Sequence, residues 1–199
     1  TDEVHADSRG PSPLNSVLCR PSVGPPNVNW TAEFLPSPPV SGTIPEAHFD
    51  SDIQEKEFWI WARFTSDGDE AWAGCFRGGF FSFNTLIVVG DSADVLVVAG
   101  GQGYWVSLLD RAVRYQHRFI AAAAAVPSQR AVVVADYVSL ALLSTNGVVW
   151  DTRRVSLDGI TFKDVSETLI VGEAEVPDGF ASFEVDVASG EVRGGWDES

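Results

Sequence analysis

Val95-Leu-Val-Val-Ala99, a turn, and Tyr104-Trp-Val-Ser-Leu-Leu109 form the stretch that decides the fold. Two short runs rich in β-branched and aromatic residues flank Gly100-Gly-Gln-Gly103, which reads as strand, tight turn, strand. The design returns as Ala131-Val-Val-Val-Ala135 with Leu140-Ala-Leu-Leu143, and again as Leu169-Ile-Val171 with Ala181-Ser-Phe-Glu-Val-Asp-Val187. The first runs start at residues 95, 131 and 169, so they are 36 and 38 residues apart. A period of this size marks a repeated supersecondary unit. It predicts a layered antiparallel β body and names no chemistry.

Upstream, Phe58-Trp-Ile-Trp-Ala-Arg-Phe64 carries bulky groups on alternate positions of both parities, which predicts a strand buried on two sides. The turn Thr65-Ser-Asp-Gly-Asp69, the run Ala71–Phe76, a Gly78-Gly79 turn and the run Phe80–Phe83 continue the meander. A second unit covers 86–110. A third runs from Ala121 to Thr152 through the Asn146-Gly147 turn, and a fourth runs from Ile160 to Arg193. A short helix is expected over Leu108–His117, and little helix elsewhere.

Residues 1–57 differ in kind. Nine of the eleven prolines lie in the first 45 residues, and each removes a ladder donor and restricts its predecessor. The expected organisation is an irregular Pro-rich arm over 1–57, with a polar leader through about residue 12, packed on an antiparallel β domain over 58–199. Apolar anchors at Val17-Leu18, Trp30 and Phe34-Leu35 hold the arm, with one short strand near Asn29–Leu35.

The stretch Val148-Val-Trp-Asp-Thr-Arg-Arg-Val-Ser-Leu-Asp-Gly159, followed by a strand pair ending in Phe183-Glu-Val-Asp-Val-Ala-Ser-Gly190, resembles the C-terminal region of uncharacterised bacterial β-repeat proteins. Those proteins carry a Gly-x-x-Trp-x-Ser-x-Arg-x-Ser-x-Asp-Gly pattern. Over residues 85–195 the units are also similar to propeller blades, although Trp150-Asp151 lacks the Gly-His partner of a WD40 blade. The resemblance implies architecture and no activity. The expected fold is mainly β: antiparallel meanders stacked as a partial propeller-like body or as two packed sheets.

Charge narrows the partners. With 28 acidic and 13 basic residues the net charge is −15, which repels phosphate backbones and argues against nucleic acid. No run approaches the ~18 apolar residues of a membrane helix, and a cytoplasmic setting is the expectation. Two cysteines, Cys19 and Cys75, are compatible with one disulfide or two thiols; Cys75, inside an apolar run, reads as free and buried.

No cofactor and no metal is expected. Gly101-Gln-Gly103 places Val106 where a dinucleotide fingerprint needs a third small residue, so a hairpin turn explains the glycines better. Asp67-Gly-Asp69-Glu70 lacks the further acids of a calcium loop. His5, His48 and His117 show neither metalloprotease spacing nor a nucleophile elbow. No catalytic residue is assigned.

Two clusters remain as binding candidates. Arg111, Arg114 and Arg118 share a face if their segment is helical, where they would receive an acidic partner or neutralise the chain's own carboxylates. Glu173, Glu175, Asp178, Glu184 and Asp186 form an acidic set in the last unit. The expected function is a non-enzymatic interaction protein, of the bacterial immunity or adaptor kind, presenting an acidic and aromatic surface to a basic protein. The alternatives are a hydrolase or carbohydrate-active enzyme using Asp67, Asp136 or Asp158, and a structural module of a larger assembly.

Overall fold

The structure is a computed structural model that describes residues 28–50, 58–90, 92–126 and 129–196. These residues form sixteen strands and no helix, grouped as four four-stranded sheets. Sheet I holds β1 (Trp30–Leu35), β2 (Glu46–Phe49), β3 (Trp59–Ser66) and β4 (Ala71–Arg77), in the order β1-β3-β4-β2. Sheet II is the meander β5 (Thr85–Val88), β6 (Asp94–Ala99), β7 (Gln102–Ser107) and β8 (Ala112–His117). Sheet III is β9 (Ala122–Val126), β10 (Ala131–Ala135), β11 (Leu140–Ser144) and β12 (Gly147–Asp151). Sheet IV is β13 (Ile160–Val165), β14 (Leu169–Val176), β15 (Gly179–Asp186) and β16 (Val192–Gly194).

The sequence repeat is the sheet. Its first runs fall in β6, β10 and β14, the second strand of sheets II, III and IV, and its second runs fall in the third strands. The first strands stand side by side, β1 against β5, β5 against β9 and β9 against β13, so the sheets fan out like blades.

Strand alternation explains why β6 from Val95 to Ala99 and the whole of β10 are apolar at every position. Val95 and Val97 turn toward sheet I and pack on Phe64, Trp72 and Phe76. Leu96 and Val98 turn the other way, onto Val132, Val134 and Leu143 of sheet III. On the far side of sheet III, Val133, Leu140 and Leu142 meet Ile170, Phe183 and Val185 of sheet IV. Three clusters therefore join four sheets in series, a partial propeller-like stack rather than two packed sheets.

The turn Gly100-Gly101 shows why glycine stands there. Both residues have positive φ, +56° and +77°, the pairing that a two-residue type I′ hairpin requires.

Several expectations are corrected. Leu108–His117 is not a helix: Leu108–Arg111 is a turn, with Arg111 at φ +52°, and Ala112–His117 is β8. A β-bulge explains it: Val113 pairs with Val106 and Tyr115 with Trp105, so the extra residue, Arg114, lets Val113 pack on the sheet I–II cluster while Tyr115 stacks on Trp105 at 5.7 Å on the other side. Phe80–Phe83 is a bend rather than a strand, because the amides of Gly79 and Phe81 bond the carbonyls of Ala99 and Gly100 instead of a ladder partner. Phe58–Phe64 is not buried on both sides, since Trp59 keeps 43% of its surface exposed.

The strand expected near Asn29–Leu35 is β1. The described part of the Pro-rich segment supplies both edge strands of sheet I, with Pro36, Pro38, Pro39 and Pro45 in the loop between them. That loop carries the chain round the sheet, so β2 runs parallel to β4. The polar leader, His5, Val17-Leu18 and Cys19 lie outside the described residues. Cys75 is a free, buried thiol.

Candidate functional site: an aromatic loop end beside an acidic sheet face

The segments entering the first strands of sheets II, III and IV meet at one end of the fan. Phe81–Asn84 before β5, Ala121 before β9, Gly159–Thr161 at β13, Tyr137 on the β10–β11 turn and Phe180 in β15 enclose a depression of about 510 Å³. Phe81 stands edge-on to Tyr137 at 5.0 Å and lies 6.1 Å from Phe119. Asn84 pins the rim: its Oδ1 accepts the Gly100 amide at 2.7 Å and its Nδ2 donates to the Ser82 carbonyl at 3.2 Å.

The aromatic groups here are not core. Phe119 is 51% exposed and Phe180 is 74% exposed, while Phe80 and Tyr137 are also open to solvent. Phe119 sits at φ +63°, a left-handed conformation that costs a residue with a Cβ about 1–2 kcal/mol. It is held there while the next amide, Ile120, donates to the Gly101 carbonyl at 2.9 Å. A bulky aromatic both strained and exposed is a feature of functional loops.

A smaller hollow of about 300 Å³ adjoins Phe119, lined by His117, Arg118, Asp136, Ser139 and Asp151 among others. Burial lowers the His117 pKa, and the negative charge of Asp136 opposes that shift. Asp136 Oδ1 accepts the amides of Val138 and Ser139 at 2.7 and 2.6 Å, and the Ser139 hydroxyl lies 3.2 Å from both its carboxylate oxygens. The serine is thus bonded to a carboxylate and not to an imidazole, which is the turn geometry of an aspartate cap and not a nucleophile–base pair.

Sheet IV supplies the second surface. Ile170, Ala174, Phe183 and Val185 point into the core, so the opposite parity, Glu173, Glu175, Glu184 and Asp186, lies on the outward face. Asp178 stands on the β14–β15 turn beside them. The structure therefore gathers Glu173, Glu175, Glu184 and Asp186 on one side of one sheet. Lys163 pairs with Glu173 at 2.8 Å, and Arg193 lies opposite Glu184 across the ladder. The Asp186 carboxyl is held below its ordinary range by the Ser189 hydroxyl and amide, both donating at 2.8 Å. Phe180 is the direct cross-strand partner of Glu175, so the aromatic end and the acidic face are continuous.

The arginines are distributed differently. Arg111 pairs with Glu70 at 2.7 Å, linking turns of sheets II and I, and Arg114 Nε donates to Asp94 at 3.1 Å. Arg118 lines the small hollow. With the helix gone, the three do not form one face. Asp67 bonds Asn29 at the edge of sheet I, Asp136 caps its own turn, and Asp158 precedes β13, so the three aspartates of the hydrolase alternative belong to three separate loops. Among the described residues no group of three or more His, Cys, Asp or Glu side chains is placed to hold a metal ion. No described helix is long and apolar enough to cross a membrane.

Sequence reasoning missed Phe81, Phe119, Tyr137 and Phe180. Their signal is adjacency to turn residues, as in Gly79-Phe-Phe81, Asp136-Tyr137 and Gly179-Phe180.

Geometry and topology together define the class, an open stack of four blade-like sheets, three antiparallel and one mixed, with an aromatic loop end. No protein-family model matches this chain, and no curated protein does. Among solved structures, the dihydro-heme d1 dehydrogenase NirN in complex with DHE is similar to it at 18% identity and a TM-score of 0.48. The match covers 71% of this chain and 34% of that one, so the chain spans about a third of its length, a likeness too distant to carry function.

Proposed function

We propose that this chain is a non-enzymatic protein-binding module, of adaptor or immunity type, that docks a basic partner on its aromatic loop end and the acidic face of sheet IV. The carrying observation is Phe180, 74% exposed at the lip of the depression and paired across the ladder with Glu175. An exposed aromatic beside a hollow supplies an anchor of the kind that dominates interface energetics. The carboxylates around it favour basic residues on the partner and steer the encounter. A cytoplasmic setting accords with the free thiol of Cys75.

The test begins with a pull-down from the native source at low and high salt, read by mass spectrometry. The captured protein is then purified and titrated against the wild-type chain, Phe180→Ala, Phe119→Gly, and the triple change Glu173→Gln, Glu175→Gln, Glu184→Gln. Phe180→Ala is expected to weaken binding at least about tenfold, the loss of one anchor. The triple change is expected to slow association and flatten its salt dependence. Phe119→Gly removes backbone strain, so it should lose affinity without losing thermal stability. A partner indifferent to all of these changes, or no partner at either salt, overturns the reading.

A further inference from the structure

The outward face of sheet I carries a cleft that the surface above does not use. Register places Leu35, Trp61, Cys75 and His48 in one row across all four strands. This row lies on the face opposite Ala62, Phe64, Trp72 and Phe76, which pack on sheet II. Pro36 and Pro38 wall one end, Trp59 stands one pleat beyond, and the cleft encloses about 620 Å³. That volume is within the range of about 300–1,000 Å³ usual for small-ligand sites.

The rows on either side of this apolar floor are charged and planar. Glu33 and Arg63 pair at 3.3 Å on one side, and Asp50 and Arg77 pair at 3.0 Å on the other. His48 stands edge-on to Trp61 at 5.3 Å, with Glu46 3.9 Å from its Nε2.

This arrangement selects by charge. The Arg77 guanidinium already lies 5.9 Å from the Trp59 ring centre, so a cationic ligand seeking the indole face meets a like charge. An anion meets the carboxylates of Glu33, Glu46 and Asp50. Burial pushes the Cys75 thiol up to about 11, so Cys75 adds no charge near neutral pH. The remaining ligand class is neutral, with one flat apolar face and a rim of hydroxyl groups. A pyranose ring has that form: its C–H face covers an indole, and its hydroxyls donate to carboxylates and accept from guanidinium N–H groups.

We propose that this cleft is a carbohydrate-binding site, taking neutral hexopyranose units with Trp59 as the stacking platform and the exposed Asp50 carboxylate, held by the partly buried Arg77, as the hydrogen-bonding rim. It is separate from the protein-binding surface and does not rest on that reading.

The experiment titrates the full chain with hexasaccharides of β-1,4-glucose, α-1,4-glucose and β-1,4-N-acetylglucosamine, read by calorimetry and tryptophan fluorescence. Tetramethylammonium chloride and a polyproline peptide serve as the cationic and peptide probes. Saturable binding of at least one hexasaccharide is expected, weakened at least about tenfold in Trp59→Ala. Trp59→Phe, which keeps a ring, should lose less and decides the question if the alanine variant does not fold. Phe180→Ala should bind sugar as the wild type does, which separates this test from that of the protein-binding surface. The proposal falls if no hexasaccharide binds, if binding survives both Trp59 changes, or if only the ammonium or polyproline probe binds.

Discussion

His117 closes β8 at the wall of the small hollow, and its environment makes a pH prediction. Burial holds its pKa below the ordinary 6.5, and Asp136 offsets part of that shift. The fold therefore favours the neutral imidazole, and the unfolded chain binds the proton more readily. The resulting stability is fully present above pH 6.5 and is lost as pH falls from there through the folded-state value. Between about pH 7.5 and about pH 5.5 the Tm of the wild type should fall more than that of His117→Gln, measured by calorimetry. Each kcal/mol moves Tm by roughly 2–4 °C in a chain of this size, so the difference is readable. Parallel curves for the two proteins would sink the assignment. At this scale the sequence was half legible. The carboxylates Glu173, Glu175, Glu184 and Asp186 stand out because alternation along a strand fixes which parity faces outward. Phe81, Phe119, Tyr137 and Phe180 do not, because they meet only when loops of three sheets converge.

Asp94 shows how an element is fixed by a buried charge. It opens β6 with a side chain only 7% exposed, and it accepts from Arg114 Nε of β8 at 3.1 Å and from Thr145 Oγ1 of the β11–β12 turn at 3.0 Å. One carboxylate thus spans sheet II and ties it to sheet III. Asp94→Ala leaves the guanidinium without this partner. Because Arg114 is 42% exposed, water softens the loss, and a cost of about 1–3 kcal/mol is expected by denaturant unfolding. A double-mutant cycle with Arg114→Ala should return a coupling of about 0.5 kcal/mol or more, and additivity would show that the pair holds nothing. The repeat that locates these strands was visible as a 36- to 38-residue period. The strand nature of Ala112–His117 was not, since arginines three and four residues apart imitate a helix face while Val113 and Tyr115 decide the matter from opposite sides of the sheet. The parallel course of β2 was likewise hidden, because periodicity carries no sign of strand direction and the loop before it sets that direction.

Stacking sheets in series makes the molecule unequal in its middle and at its ends. Sheets II and III each pack a hydrophobic cluster on both faces, whereas sheets I and IV each share one cluster with a neighbouring sheet. Every residue of β6, β7 and β10 is buried, while β2 alternates between exposed and half-buried, and two of the three residues of β16 are exposed. An amide in β6 or β10 exchanges only when two interfaces and two ladders open together. One in β16 or β2 needs the release of a single ladder at a sheet edge. Native-state hydrogen exchange should therefore rank the amides of Val95–Val98 and Val133 slowest, approaching the global unfolding free energy of about 5–15 kcal/mol. The amides of β2 and β16 should open several kcal/mol below that, because nearest-neighbour stacking leaves terminal units the least supported. Uniform protection across the four sheets would mean that they unfold as one cooperative core, and the serial account of their stability would have to be abandoned.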